Sequence, residues 1–325
     1  MSGPGRAVAV ERRAPAKLTL SLRVLGTRPD GYHELDALAV ALAEPADHVA
    51  VTVEPVSRPA GSVGTAGAAG EAGAVELELH GRTEGVPPGE ENLAVRAARA
   101  VVAAGRQSGR VLIRLTKAVP PGSGLGGGSS DAAAVLAALG ATAGVPRARL
   151  LELAAELGSD VPACLHGGPV IMRGRGEVVR PVALAGPLAV LVVVPRLALS
   201  TPEVYRAWDD LGGPEARTEV TAPMAVAPIV PVLANDLELA ADRVEPRLAR
   251  VRDALEGLTG APVLLAGSGS ALWTLGPEPG GDPAALEETA RRAARDLGVD
   301  AYATVAGGPG EGLSDPVGDA ASASS

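Results

Sequence analysis

One stretch constrains this chain more than any other: Pro120-Pro121-Gly122-Ser123-Gly124-Leu125-Gly126-Gly127-Gly128-Ser129-Ser130-Asp131, followed directly by the apolar, alanine-rich run 132–139. A segment so rich in glycine does not belong inside a helix or strand, and it leaves backbone N–H groups free to face a ligand with no Cβ in the way. Ser129, Ser130 and Asp131 read as the N-cap and first turn of the helix that the apolar run continues. A glycine loop that opens a helix brings unpaired N–H donors and the positive end of the helix dipole together, which suits a polyphosphate. A flexible linker is the alternative, but linkers do not pass without a break into an apolar helical segment.

Other glycine loops fit poorly. Gly122-x-Gly124-x-x-Gly127 matches the dinucleotide fingerprint by letter, yet no strand with an acidic end follows ~20 residues on. A Walker A loop would need lysine at Gly128. A protein-kinase loop is excluded because a chain with no Phe cannot contain the Asp-Phe-Gly element.

At 325 residues and 46% hydrophobic the chain can bury a sizeable core and build two domains. No apolar run approaches the ~18–20 residues of a membrane span, and the start lacks a signal-peptide core, so the expected compartment is the cytoplasm. The single cysteine, Cys164, has no partner for an internal disulfide and reads as core packing. A net charge of −9 argues against nucleic acid as a partner. Only two of the 29 basic residues are lysines, Lys17 and Lys117. Lys117 precedes the glycine loop closely enough to serve a phosphate, although a strong arginine bias accounts for it equally well.

In chain order, residues 1–13 read as a frayed terminus. From residue 16 the pattern alternates, with Leu18, Leu20, Leu22 and Val24 on one face and Lys17, Thr19, Ser21 and Arg23 on the other, which predicts a strand with Lys17 and Thr19 side by side. A turn at Asp30-Gly31 leads to a returning strand over 34–42, with Tyr32 and His33 at the tip. Strands follow at 49–53, 75–79 and 111–115, with a helix over 92–102 preceded by Glu90 and Glu91, where its dipole favours negative charge. Residues 55–73 have the composition of a surface insertion. A helix over 147–157 ends at Gly158, predicted as a left-handed stop. Beyond a strand at 188–194, helices are expected over 201–211, 245–258 and 283–297, strands at 271–275 and 300–305, a proline-broken connection over 221–233, and a tail over 307–325. The fold class is α+β, with domains over 14–180 and 181–306.

These pieces resemble the GHMP kinase superfamily, and within it the branch that acts on a cytidine-diphosphate-linked methylerythritol. The resemblance rests on Ala16-Lys17-Leu18-Thr19-Leu20, Gly31-Tyr32-His33-Glu34-Leu35, Asn92-Leu93, the loop 120–131, Leu157-Gly158-Ser159-Asp160-Val161-Pro162, Gly174-Arg175-Gly176-Glu177, Ser200-Thr201-Pro202, Asn235-Asp236-Leu237-Glu238 and Gly267-Ser268-Gly269-Ser270. It implies an N-terminal ribosomal-protein-S5-like αβ domain and a C-terminal ferredoxin-like αβ domain. It implies ATP-dependent phosphorylation of the substrate's 2-hydroxyl in the non-mevalonate route to isoprenoids, with Mg²⁺, and a small-molecule partner rather than nucleic acid or membrane. By resemblance Lys17 and Asp160 are the catalytic pair. Pro120, Pro121, Gly122, Ser123, Gly124, Leu125, Gly126, Gly127, Gly128, Ser129 and Ser130 form the ATP-phosphate loop, and Asn92 lies beside the adenine. Thr19, Tyr32, His33, Thr201, Tyr205, Gly267 and Ser268 meet the acceptor. Thr19 stands where the family usually has Asn, and Tyr205 where Phe is common. Ser129 or Ser130 is the expected hydroxyl for Mg²⁺, and the expected assembly is a monomer or homodimer.

The chemistry of the residue types agrees. In a chain with three Tyr, two Trp and no Phe, Tyr32 and Tyr205 are placed to stack a base, with His33 free to bond its edge. Two alternatives stand beside this reading: a related kinase acting on homoserine or a mevalonate derivative, whose substrates carry no base, and a non-catalytic nucleotide-binding module, which would have no need of both Lys17 and Asp160.

Overall fold

The computed structural model describes residues 7–55, 73–104, 109–213, 233–277 and 281–308. The segment 56–72, which holds nearly all of the expected insertion, the connection 214–232 and the tail beyond 308 lie outside the described residues.

The chain opens with two long antiparallel strands, β1 (Val8–Thr27) and β2 (His33–Glu54). β1 begins at Val8, opposite Val53, so residues 8–13 of the segment that reads as a frayed terminus are strand. β2 runs through Pro45 and joins what the sequence divides into two strands. It is the spine of the molecule, pairing along one edge with β1 and along the other with β5 (Val170–Gly174), β4 (Arg110–Lys117) and, at Leu42, β11 (Asp300–Ala306). Between the pairs Pro15↔Ala46 and Lys17↔Ala41 it leaves β1, and there Glu44 N–H donates to Thr304 Oγ1 at 2.8 Å.

A bulge in β1 corrects the expected alternation. Thr19 pairs with Ala39 and Ser21 with Leu38, so residue 20 is extra and the faces exchange. Leu18 and Leu20 pack with Val40 and Trp273, whereas Leu22 and Val24 turn to the opposite cluster, with Ala37, Ala39 and Trp208.

Behind the first sheet lie α1 (Leu93–Ala103), α2 (Gly127–Ala143), α3 (Arg147–Leu157) and the short α4 (Val161–His166). Alanines at 132, 133, 134 and 138 let α2 press against the strands, burying Leu136 and Leu139 completely. Gly126, in left-handed conformation, takes the N-cap place of α2, so Ser129, Ser130 and Asp131 fall inside the first turns and no side chain caps the helix. Gly158 is extended (φ 174°), not a left-handed stop. Glu90 pairs with Arg99 of α1 instead of capping the helix; the cap is Asn92, whose Oδ1 accepts from Ala94 N–H at 2.9 Å.

β3 (Val75–Gly81) and β6 (Val178–Pro181) are outer strands. The second half sets β7 (Leu188–Val194), buried along its whole length, between β11 and β10 (Leu272–Leu275). Around these lie α5 (Thr201–Asp210), β8 (Ala234–Asn235), α6 (Glu238–Val244), α7 (Arg247–Thr259), β9 (Leu264–Leu265) and, after a 3₁₀ turn over Pro283–Leu286, α8 (Glu287–Leu297). The architecture is α+β, and the sheet order β3-β4-β2-β11-β7-β10-β9 carries it across both halves. Among the described residues no helix is long and apolar enough to cross a membrane.

The halves also lock together at two glycines. A Cβ on Gly124 would lie 2.6 Å from Gly269 Cα and 2.8 Å from the Ala266 carbonyl oxygen. Beside them Ala271 N–H donates to Ser123 O at 2.9 Å, and Lys17 N–H donates to Leu125 O at 2.7 Å. Gly269→Ala is therefore expected to force the loops apart and to lower stability by about 1–3 kcal/mol, measured as a drop in the urea midpoint with an unchanged m-value.

Candidate active site

A cleft of about 870 Å³ opens where the two loops meet. At its base is Lys17, 7% exposed, held by the strand pairing of β1. Its Nζ lies 3.0 Å from Asp160 Oδ2 and donates to Thr19 Oγ1 at 3.1 Å. Asp160 occupies the N-cap place of α4, but its side chain caps nothing; it points at Lys17. The side chain of Asp160 remains one-third exposed while that of Lys17 is nearly covered. One carboxylate oxygen is thus open to a proton donor from the cleft, with an ammonium fixed beside it.

The start of α2, where the sequence places a phosphate loop, forms one end of the cleft. Ser130 N–H donates to Gly126 O at 2.9 Å, closing the first turn, while the N–H groups that precede it are those a helix leaves unpaired. Pro120, Pro121, Gly122, Ser123, Gly124, Gly126, Gly127, Gly128 and Ser129 line the cleft. Leu125 and Ser130 do not: Leu125 is wholly buried and Ser130 is 1% exposed. Asn92 lines the cleft with Val86 and Pro87, but both ends of its side chain are occupied, Oδ1 by the helix cap and Nδ2 by the Pro87 carbonyl at 2.8 Å. Its structural part is to hold the 86–87 wall.

The other end is aromatic. His33 stacks on Tyr205 with ring centroids 4.6 Å apart and meets Trp208 edge-on at 5.4 Å. His33 Nε2 lies 2.8 Å from Asp209 Oδ1, which fixes the ring and leaves the other nitrogen for a ligand. The expected arrangement of two tyrosines about a base is altered: Tyr205 already carries His33 on one side, and Tyr32 stands at the rim, 52% exposed, with the Arg175 guanidinium 5.2 Å from its ring centroid. Burial, with the charge of Asp160, raises the Tyr205 pKa, so its hydroxyl stays protonated. Thr201 and Ser268 hydroxyls are 2.8 Å apart across the mouth, and Gly267 is held by Asn235 Nδ2, which donates to its carbonyl at 2.7 Å.

Sequence reading also missed the partners of Lys117. Lys117 is not a free cation beside the loop but a buried one, paired with Asp47 and with Asp131 Oδ2 at 2.6 Å, and its Nζ lies 3.4 Å from where a Cβ on Gly127 would be. Asp47 also accepts from the Ala118 and Val119 N–H groups at 2.6 and 2.8 Å. The triad ties β2, the end of β4 and α2 together beneath the phosphate loop. Lysine scarcity pointed to Lys117; nothing local pointed to Asp47, 70 residues away. Cys164 is buried, and burial first, then Asp160, pushes its thiol up to about 12, so it is packing and not a nucleophile.

An uncapped helix start over a glycine loop, with a lysine–aspartate pair in the same cleft, is the arrangement expected of a GHMP-type small-molecule kinase, and the comparisons give that class. Residues 92–168 match the GHMP kinases N terminal domain. The 4-diphosphocytidyl-2-C-methyl-D-erythritol kinase of Thermus thermophilus is 40% identical over 89% of this chain and 92% of its own length. That of Pelotomaculum thermopropionicum is 37% identical over 81% of this chain and 87% of its own. A crystal structure of 4-(cytidine 5'-diphospho)-2C-methyl-D-erythritol kinase superposes with a TM-score of 0.69 at 37% identity, covering 92% of this chain and all of that one. Homoserine kinase from Cytophaga hutchinsonii, 18% identical with a TM-score of 0.64 over 95% of this chain and 98% of its own, shares the fold. The chain belongs to the 4-diphosphocytidyl-2-C-methyl-D-erythritol kinase family.

The buried triad carries a pH signature. Burial first, and the charge of Asp47 as well, raise the Asp131 pKa from 3.8 to about 8 against the opposing pull of Lys117. The folded state then holds a proton that the unfolded state has lost, so this group's contribution to stability declines as pH rises from about 4 to about 8. Asp131→Asn is expected to flatten that slope, which a series of urea midpoints between pH 5 and pH 9 would reveal.

Proposed function

We propose that this protein transfers the γ-phosphoryl group of ATP to the 2-hydroxyl of 4-diphosphocytidyl-2-C-methyl-D-erythritol, giving the 2-phosphate and ADP in the non-mevalonate route to isoprenoids. The observation that carries it is the Lys17–Asp160 pair, 3.0 Å apart, in a cleft with an uncapped helix start at one end and the His33–Tyr205 stack at the other. In this reading residues 14–180 form the nucleotide-binding unit, and 181–306 supply Thr201, Tyr205, Gly267 and Ser268 to the acceptor side.

The acceptor oxygen forms a bond to the γ-phosphorus as the bond to the β,γ-bridging oxygen breaks, and the hydroxyl proton passes to Asp160. Phosphoryl transfer proceeds through a loose transition state, so position and charge matter more than basicity. Lys17, held by Asp160 and Thr19, orients the acceptor oxygen and offsets charge developing between the reactants. Thr19 is engaged with Lys17, which gives it a use where the family usually has Asn. The N–H groups of Gly127, Gly128 and Ser129 bind phosphate oxygens. Mg²⁺ bound with the nucleotide would supply further neutralisation of the phosphate charge. The hard oxygen donors in the cleft, the Ser129 hydroxyl and the Asp160 carboxylate, suit it, and Ser129, which lines the cleft where Ser130 does not, would be the hydroxyl that holds it. The cytosine lies against the aromatic end, where stacking contributes ~1–3 kcal/mol per base. A base-free alcohol such as homoserine or mevalonate has no use for that end. The net charge of −9 suits a cytoplasmic enzyme that acts as a monomer or homodimer without nucleic acid.

ADP release should be seen with 4-diphosphocytidyl-2-C-methyl-D-erythritol and not with 2-C-methyl-D-erythritol, homoserine or mevalonate; turnover of a base-free alcohol would overturn the assigned acceptor. Asp160→Asn is expected to lower kcat by ~10²–10⁴ with KM for ATP little changed, and near-wild-type turnover would remove Asp160 from its role.

A further inference from the structure

The turn that carries Arg175 touches both ends of the acceptor site. Gly176 packs so closely that a Cβ there would lie 3.3 Å from Ser159 Cβ, next to Asp160. Arg175 N–H donates to Glu177 Oε2 at 2.8 Å, and Gly174 N–H to Glu34 Oε1 at 3.1 Å, so the turn is pinned to β2. From this fixed base the Arg175 side chain lines the cleft; one guanidinium nitrogen donates to the Ala155 carbonyl at 3.3 Å, and the guanidinium lies 5.2 Å from the Tyr32 ring centroid. Tyr32 is anchored through its backbone, its N–H donating to Asp30 Oδ1 at 3.2 Å and its carbonyl accepting from Arg28 N–H at 2.7 Å. Its ring, 52% exposed, stands at the rim of the cleft with the guanidinium as its partner.

We propose that Arg175 is a positioning residue for the acceptor: its guanidinium holds the Tyr32 ring as the outer wall of the base pocket, opposite the His33–Tyr205 stack. This rests on the function proposed above. An aromatic ring on an exposed loop tip loses side-chain freedom when it closes on a base, and a cation already seated against it removes part of that cost before the ligand arrives. The effect belongs to acceptor binding and leaves the phosphate end untouched, because the Tyr32 contact lies at the other end of the cleft from α2.

Steady-state kinetics of Arg175→Gln, Arg175→Lys, Tyr32→Leu and the double variant Tyr32→Leu/Arg175→Gln test this. Arg175→Gln is expected to raise KM for the cytidine-linked acceptor about two- to fivefold, the range of an exposed cation–π contact, with KM for ATP unchanged and kcat within about twofold, and Arg175→Lys should restore most of the loss. In the Tyr32→Leu background the Arg175→Gln change should have no further effect. An unchanged or lower acceptor KM in Arg175→Gln, or an equal effect with Tyr32 already removed, would overturn the proposal, the second pattern meaning that the charge acts on the ligand directly. Titration with cytidine 5′-diphosphate, read by protein fluorescence, supplies the same comparison independently of turnover. A wild type that binds this probe but does not turn over overturns the proposed function alone, and the Kd ratios then decide the role of Arg175. A wild type that does not bind the probe overturns both.

Discussion

The structure depends on the contact of two backbones at Gly124 and Gly269. Each glycine stands where a side chain would occupy the other's main chain, and the hydrogen bond from Ala271 N–H to Ser123 O fixes their register. A loop that must present its N–H groups to a ligand cannot use them to hold itself in place, so its rigidity has to come from neighbours. The second half of the chain supplies that support from one side, and Lys17 N–H, donating to Leu125 O, supplies it from the other. The same contact that joins the halves therefore shapes the phosphate end and places Gly267 and Ser268 across the cleft from it.

The two lysines divide the electrostatic work. Lys117 is held between Asp47 and Asp131 beneath the loop, where it is almost wholly covered and binds three segments into one support. Removing Asp47 would be costly, because the buried Lys117 ammonium would lose its carboxylate. Lys17 has one carboxylate and one hydroxyl, and its aspartate stays partly open to the cleft. The difference in partners, two acids against one, is what separates a structural ammonium from one that can meet a substrate.

What the sequence made legible was local. The glycine loop, the helix over 147–157 and the apolar strand over 188–194 are each set by neighbouring residues, and they stand where their patterns put them. Alternation over 18–24 misled because the bulge at residue 20 is imposed by the partner strand β2 and leaves no mark in the spacing of leucines. The pattern separates a strand over 34–42 from one over 49–53, yet β2 runs through both, because between them it turns from β1 toward β11. The short α6 was missed, since seven residues with two buried alanines give little periodic signal. In the cleft, the motif residues fall together except for Leu125 and Ser130, whose side chains the helix and loop geometry turn inward. Asp47 and Asp209 act on Lys117 and His33 across 70 and 176 residues, a separation at which no sequence window could pair them.

The aromatic end explains why so sparing a chain keeps its rings where it does. With three Tyr and two Trp in all, Tyr205 and Trp208 sit one helical turn apart on α5 and close on His33 from two directions. That cluster is rigid before any ligand arrives, because Asp209 on the same helix holds the imidazole and burial keeps Tyr205 neutral. A prearranged surface for a flat ring lets binding energy gained far from the reacting atoms be spent on orienting them, and a loose transition state rewards orientation above all. On the function proposed above, the aromatic half of the cleft takes no part in bond making and serves to orient the acceptor hydroxyl toward Lys17 and Asp160.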